Sequence, residues 1–140
     1  VELSCERRIR IRFVEADPLG IVWHGHYLMY FEDAREEFGK KYGLYYADFY
    51  KNGLAVPVVS AHVDYKKPLR FGDEIWVHCV FEPNSSAKII FNYTVYTVQN
   101  PTELVASGYT IQVFVNIHTF ELQLNYPVFF KDWLQKNSSI

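Results

Sequence analysis

An α+β domain of two layers, one long helix against one antiparallel sheet, is the fold class the sequence predicts. Apolar residues recur at steps of three and four in only one long stretch, 24–42. Five other stretches have strand character, and turn-rich segments divide the later ones. No repeat, low-complexity segment or linker interrupts them, so residues 1–140 read as one domain with one core.

The first element is a strand over 7–14, where Ile9, Ile11 and Phe13 alternate with Arg8, Arg10 and Arg12. The arginine side reads as a solvated sheet face or a subunit interface. Pro18, Gly20 and Gly25 then mark residues 15–25 as a loop. Tyr27, Leu28, Phe31, Ala34, Phe38 and Tyr42 form the apolar side of a helix from His24 to Tyr42, with Gly43 as its stop. An aromatic connection through Tyr45, Tyr46, Phe49 and Tyr50 leads to four strands at 55–65, 74–81, 88–98 and 103–116. Short links predict an antiparallel meander for the later ones. Pro127, followed by Phe129, Phe130, Trp133 and Leu134, predicts a short C-terminal helix.

Composition narrows the function classes. Apolar residues make up 49% and charged residues 21%, an ordinary globular balance. Eleven Phe, 11 Tyr and 3 Trp favour β structure and supply walls for an apolar pocket. A net charge of -2 and a pI near 6.2 argue against a nucleic-acid binder, which needs a basic face. No apolar run is long enough to span a bilayer and no signal-peptide core is present, so a cytoplasmic protein is expected. The first residue is Val, consistent with a processed or trimmed N-terminus. Cys5 and Cys79 have no ligand spacing and read as reduced thiols, with a bridge between them left open.

The stretch from Asp17 to Tyr27 carries the chemistry. It sets a carboxylate on a Gly/Pro loop just ahead of the long helix. No Ser, Thr, Asp or Asn stands at 22–26 to cap that helix, and Gly25 caps it only weakly. Free N–H groups at a helix start, backed by the dipole, suit a developing oxyanion. Asp17 can then act on a carbonyl carbon held there, directly or through a water.

With its Asp17, Gly20-x-Val22, His24 and Tyr27, this stretch resembles the signature of the 4-hydroxybenzoyl-CoA thioesterase family of hotdog-fold proteins. Tyr65-Lys66-Lys67-Pro68 with Gly72-Asp73 resembles that family's Tyr-x-x-Pro…Gly-Asp stretch, and the resemblance covers roughly residues 5–120. It implies an α+β hotdog fold, an antiparallel sheet wrapped around one long central helix. It implies hydrolysis of acyl-CoA thioesters without metal or cofactor, in a homodimer or homotetramer with sites at the subunit interface. Asp17 would be the catalytic carboxylate, with the backbone N–H near His24 and Gly25 polarising the thioester carbonyl. One position departs: His26 stands where the family usually has Asn, and imidazole is bulkier and titrates near neutral pH.

Each candidate also has a plainer reading. Asp17 fits an Asx turn ahead of Pro18. His24, His26 and Tyr27 fit helix-start packing. His24 and His26 do not face each other and lack a third ligand, which argues against a metal site. Lys66, Lys67 and Arg70 would hold CoA phosphates or be solvated turn charges, and Ser60 would touch ligand or serve the sheet. No Gly-x-Ser-x-Gly elbow, dinucleotide or phosphate loop, or His/Glu dehydratase pattern is recognisable. An acyl-carrier-protein substrate, a non-catalytic acyl-CoA-binding module and a purely structural oligomerisation domain remain alternatives.

Overall fold

The computed structural model describes residues 2–138. Its main sheet has five antiparallel strands: β1 (Ser4–Arg10), β3 (Val58–Tyr65), β4 (Glu74–Glu82), β5 (Lys88–Thr97) and β6 (Leu104–Val113). Their spatial order is β1-β4-β5-β6-β3. The meander expected for the later strands exists only as β4-β5-β6. β3 crosses over to pair with β6, leaving β1 and β3 as edges. The strand read over 55–65 breaks at Pro57, which has no N–H to give a ladder. Its start, β2 (Leu54–Ala55), instead pairs with β7 (Val115–Asn116) in a separate small sheet.

Across this sheet lies α1 (His26–Tyr42), which buries Tyr27, Tyr30, Phe31, Ala34 and Phe38. It starts two residues later than the periodicity predicts and ends at Gly43, which takes the left-handed conformation (φ 69°) that closes the helix. Period-two alternation sets the opposing face: Ile75, Val77, Cys79 and Phe81 on β4, and Ile89, Phe91, Tyr93 and Val95 on β5, are all buried. A short helix, α2 (Tyr46–Lys51), occupies the aromatic connection. At six residues it is too short to show a helical period in sequence. The C-terminal helix α3 (Val128–Ser138) docks where Trp133 Nε1 donates to the Tyr42 carbonyl at 2.9 Å. Phe130 and Trp133 complete an aromatic cluster with Phe38, Phe81 and Phe114.

Cys5 and Cys79 are free, buried and directly opposed across β1 and β4. Among the described residues no helix is long and apolar enough to cross a membrane.

Candidate active site

The chain leaving β1 is pinned before it reaches Asp17. Ile11 pairs with the Gly72–Asp73 turn, and a 3₁₀ turn at Phe13–Glu15 redirects the backbone. A tight hairpin follows, with Ala16 bridged to Val22 and Ile21 bridged to Arg70. Within it the Asp17 N–H donates to the Ile21 carbonyl at 2.8 Å, and the Asp17 carbonyl accepts the Gly20 N–H at 2.9 Å. Asp17 Oδ1 accepts the Leu19 N–H at 2.8 Å. The Asx turn weighed from sequence is therefore present. It leaves half the carboxylate unspent, since Oδ2 has no hydrogen-bond partner among the described residues.

The helix start lies opposite. Gly25 is the N-cap of α1 and makes no side-chain cap hydrogen bond. Among the described residues no backbone acceptor takes the N–H of His24 or Gly25. Tyr65 steadies this turn by donating from its hydroxyl to the His24 carbonyl at 2.7 Å. Its ring also meets Tyr27 edge-on, with centroids 4.9 Å apart. Burial, and secondarily the nearby Tyr65, pushes the Tyr27 hydroxyl up to about 12. Tyr27 therefore stays a neutral phenol near pH 7, able to donate a hydrogen bond but not to serve as a base.

Asp17 and these groups line one cleft of about 430 Å³ with Leu19, Ile21, Val22, His24, Lys66, Lys67 and Pro68. That volume lies in the range of small-molecule sites. A tighter cavity of about 80 Å³ lies between α1, α2 and the sheet beside Arg35, Phe38 and Phe91. It joins no carboxylate to free helix-start amides, so the chemistry is better sought in the larger cleft.

Of the residues singled out from sequence, Asp17, His24, Tyr27, Lys66 and Lys67 line this cleft, and Gly25 directly follows His24 outside the lining. Lys67 is paired to Glu103 at 2.8 Å, whereas Lys66 makes no ion pair among the described residues. His26, Ser60 and Arg70 also lie outside the lining in this chain. His26 turns its ring edge-on to Trp23. Ser60 stands five residues up β3 from Tyr65, roughly 16 Å away at strand rise. Arg70 is held by its bridge to Ile21 and by the Asp73 carboxylate on its N–H. Tyr65 and Glu15 are neighbours of the site that the sequence reading does not include. Tyr65 was visible as the Tyr of the Tyr-x-x-Pro stretch. Glu15 gave no signal, because a charge in a loop reads as exposed.

Glu15 is in fact buried, only 3% exposed. Its Oε1 accepts from the Arg12 N–H at 3.1 Å and the Tyr30 hydroxyl at 2.9 Å, and its Oε2 accepts from Arg12 Nε at 2.8 Å. Burial pushes this carboxyl up, but the bonds from Arg12 and Tyr30 outweigh it and hold it below the usual range. A depressed carboxyl gives stability that is full above its unfolded-state value and lost as pH falls through its folded-state value. Glu15→Gln is therefore expected to flatten the loss of stability below about pH 4. Urea unfolding at stepped pH checks it; equal acid sensitivity in both proteins would contradict it.

Gly25 offers a second test. A Cβ there would come within 2.1 Å of the Trp23 indole. Trp23 is half-exposed, with only the His24 and His26 rings against its indole among the described residues, so Gly25→Ala should keep the fold while pushing the indole across the helix start. The expected result is a shift in tryptophan emission with turnover lowered about tenfold or more.

Comparison with known proteins gives this geometry a family. Residues 11–137 match the family model of the Thioesterase-like superfamily. A Bacillus subtilis (strain 168) protein with the provisional name acyl-CoA thioesterase YneP is 33% identical over 129 residues, covering 91% of each chain. The solved DHNA-CoA thioesterase from Staphylococcus aureus superposes with a TM-score of 0.86 at 29% identity, over 97% of this chain and 89% of that one. A variant 4-hydroxybenzoyl CoA thioesterase complexed with 4-hydroxybenzoyl CoA shares the fold, with a TM-score of 0.81 at 20% identity over 94% and 98% of the chains. Matched along nearly its whole length, the chain belongs to the thioesterase-like superfamily and has the hotdog fold.

Proposed function

We propose that this chain hydrolyses acyl-CoA thioesters to a free acid and coenzyme A, with Asp17 as the reacting carboxylate. The observation that carries this reading is one cleft joining an unspent carboxylate oxygen to a helix start with unpaired N–H groups. The thioester oxygen would accept from the His24 and Gly25 N–H groups, where the positive end of the α1 dipole favours the charge developing on it. As a base, Asp17 takes a proton from water while the hydroxide adds to the carbonyl carbon. Collapse breaks the C–S bond, and the CoA thiolate recovers that proton. As a nucleophile, Asp17 itself expels the thiolate, and water then opens the resulting anhydride. Lys66 at the cleft edge, with no carboxylate partner among the described residues, suits a CoA phosphate.

A homodimer or higher oligomer built through β3 fits the two sheet edges. β1 presents Glu6, Arg8 and Arg10, charges that discourage edge pairing. β3 has no buried residue and exposes Val58 and Val59, and it runs into Tyr65 and Lys66 of the cleft. A second copy along β3 would cover Val58 and Val59 and close the site. The buried free thiols of Cys5 and Cys79 fit a cytoplasmic location.

Free-thiol release from short, long and aromatic acyl-CoAs tests the proposal, with an acyl-carrier-protein thioester as a separate arm. Release from at least one CoA ester supports it. Release from the carrier-protein ester alone would reassign the carrier, and none from any ester would sink hydrolysis altogether. Oxygen-18 label entering Asp17 in a single turnover would identify the anhydride route.

A further inference from the structure

We infer that Glu15 is the positioning residue of this site, setting where the Asp17 carboxylate stands relative to the helix-start amides. The inference rests on the thioesterase reading above and adds a group outside the reacting atoms. A carboxylate 3% exposed, two residues from Asp17, has to be explained, since a buried charge is costly unless it is fully bonded. Its bonds run to both sides of the site. Through Oε1 it takes the hydroxyl of Tyr30, which is fully buried in the second turn of α1. Through both oxygens it takes Arg12, on the strand side of the 3₁₀ turn.

The backbone of the same residue closes the other end of the loop. The Glu15 carbonyl accepts the Trp23 N–H at 3.1 Å, immediately before His24. Glu15 thus clamps both ends of the 16–22 hairpin and ties that clamp to the helix whose first amides face the cleft. Tyr65 holds the His24 carbonyl independently from the β3 side. With Glu15 in place, the loop cannot shift along α1 without breaking the Tyr30 bond. A pair of reacting groups on two segments needs such a tie, because displacement of about 1 Å costs around a hundredfold in rate.

The test compares Glu15→Leu, which keeps bulk but removes both acceptor oxygens, Tyr30→Phe and the double variant with native protein and Asp17→Asn. Tyr30→Phe removes only a hydroxyl and keeps the ring, so a folded variant is available even where Glu15→Leu is unstable. Well below each melting temperature, each single variant is expected to lower kcat about tenfold to a hundredfold with KM within about twofold. The double variant should be no slower than the slower single, because both cut the same tie. Hydrogen exchange should rise over 16–23 in all three. Native kcat in the folded variants, additive losses, or unchanged exchange over 16–23 would each overturn the positioning role. Absence of thiol release from the native protein, with Asp17→Asn indistinguishable from it, would instead condemn the thioesterase reading. The exchange data would then still decide whether Glu15 sets the loop.

Discussion

Replacing Asp17 with Asn is expected to lower the rate of acyl-CoA hydrolysis by about 10²–10⁴-fold, the usual contribution of a positioned acid–base group. That range corresponds to about 3–5 kcal/mol of transition-state stabilisation. Asn is the informative replacement because it keeps the local structure. Its side-chain carbonyl can still accept the Leu19 N–H that Oδ1 accepts now, so the turn at 17–20 should survive. Only the charge and basicity are lost, together with any capacity for nucleophilic attack. Acyl-CoA binding, read by calorimetry, should change little, and the melting temperature should stay within a few degrees. Undiminished kcat in this variant would remove Asp17 from the chemistry. A matched loss of binding and rate would show that the carboxylate holds the substrate instead. Asp17→Ala separates fewer possibilities, since it also frees the Leu19 N–H and loosens the turn.

The fold was largely readable because its core depends on two short periods. Alternation on β4 and β5 and the three–four spacing on α1 identify buried faces without knowledge of their partners. What could not be read is long-range. The crossover that sets β3 beside β6 rather than β4 depends on which edges remain free after β4, β5 and β6 have paired. α2 is too short to show a period, and the break at Pro57 was absorbed into a single apolar run. The site divides in the same way. Asp17, His24 and Tyr27 are close in sequence and fall on one motif, so the sequence groups them. Tyr65 reaches His24 from 41 residues away, and no local pattern couples them. Glu15 is only two residues from Asp17 yet carries no signal of its own. Its burial comes from Tyr30 and from the fold of the 3₁₀ turn, neither of which its neighbours in sequence reveal.

The largest expected loss of stability comes from Phe31→Ala, at about 3–5 kcal/mol. Phe31 is fully buried, and its ring lies parallel to that of Tyr93, with centroids 4.1 Å apart. Truncation leaves a cavity between helix and sheet that neither rigid neighbour can collapse to fill. It also strips the cover from Tyr93, whose hydroxyl is tied to Arg35 and Thr110. The loss would consume a large part of the roughly 5–15 kcal/mol that holds an ordinary domain together. The same contact can be probed from the sheet side. Gly108 stands opposite Tyr93 in β6, and a Cβ there would lie 2.8 Å from the Phe31 ring and 2.1 Å from the His62 carbonyl. Gly108→Ala therefore overfills the seam that Phe31→Ala empties. One clash is with strand backbone, so it is expected to cost at least the 1–3 kcal/mol usual for overpacking. Because Phe31 follows Tyr30 directly, loosening this seam should also weaken the Glu15 tie, and Asp17-dependent turnover should fall before the protein unfolds. Urea titrations read the first effect and kcat at increasing urea reads the second. A Phe31→Ala protein losing under 1 kcal/mol would mean that α1 is not seated on the sheet through this ring.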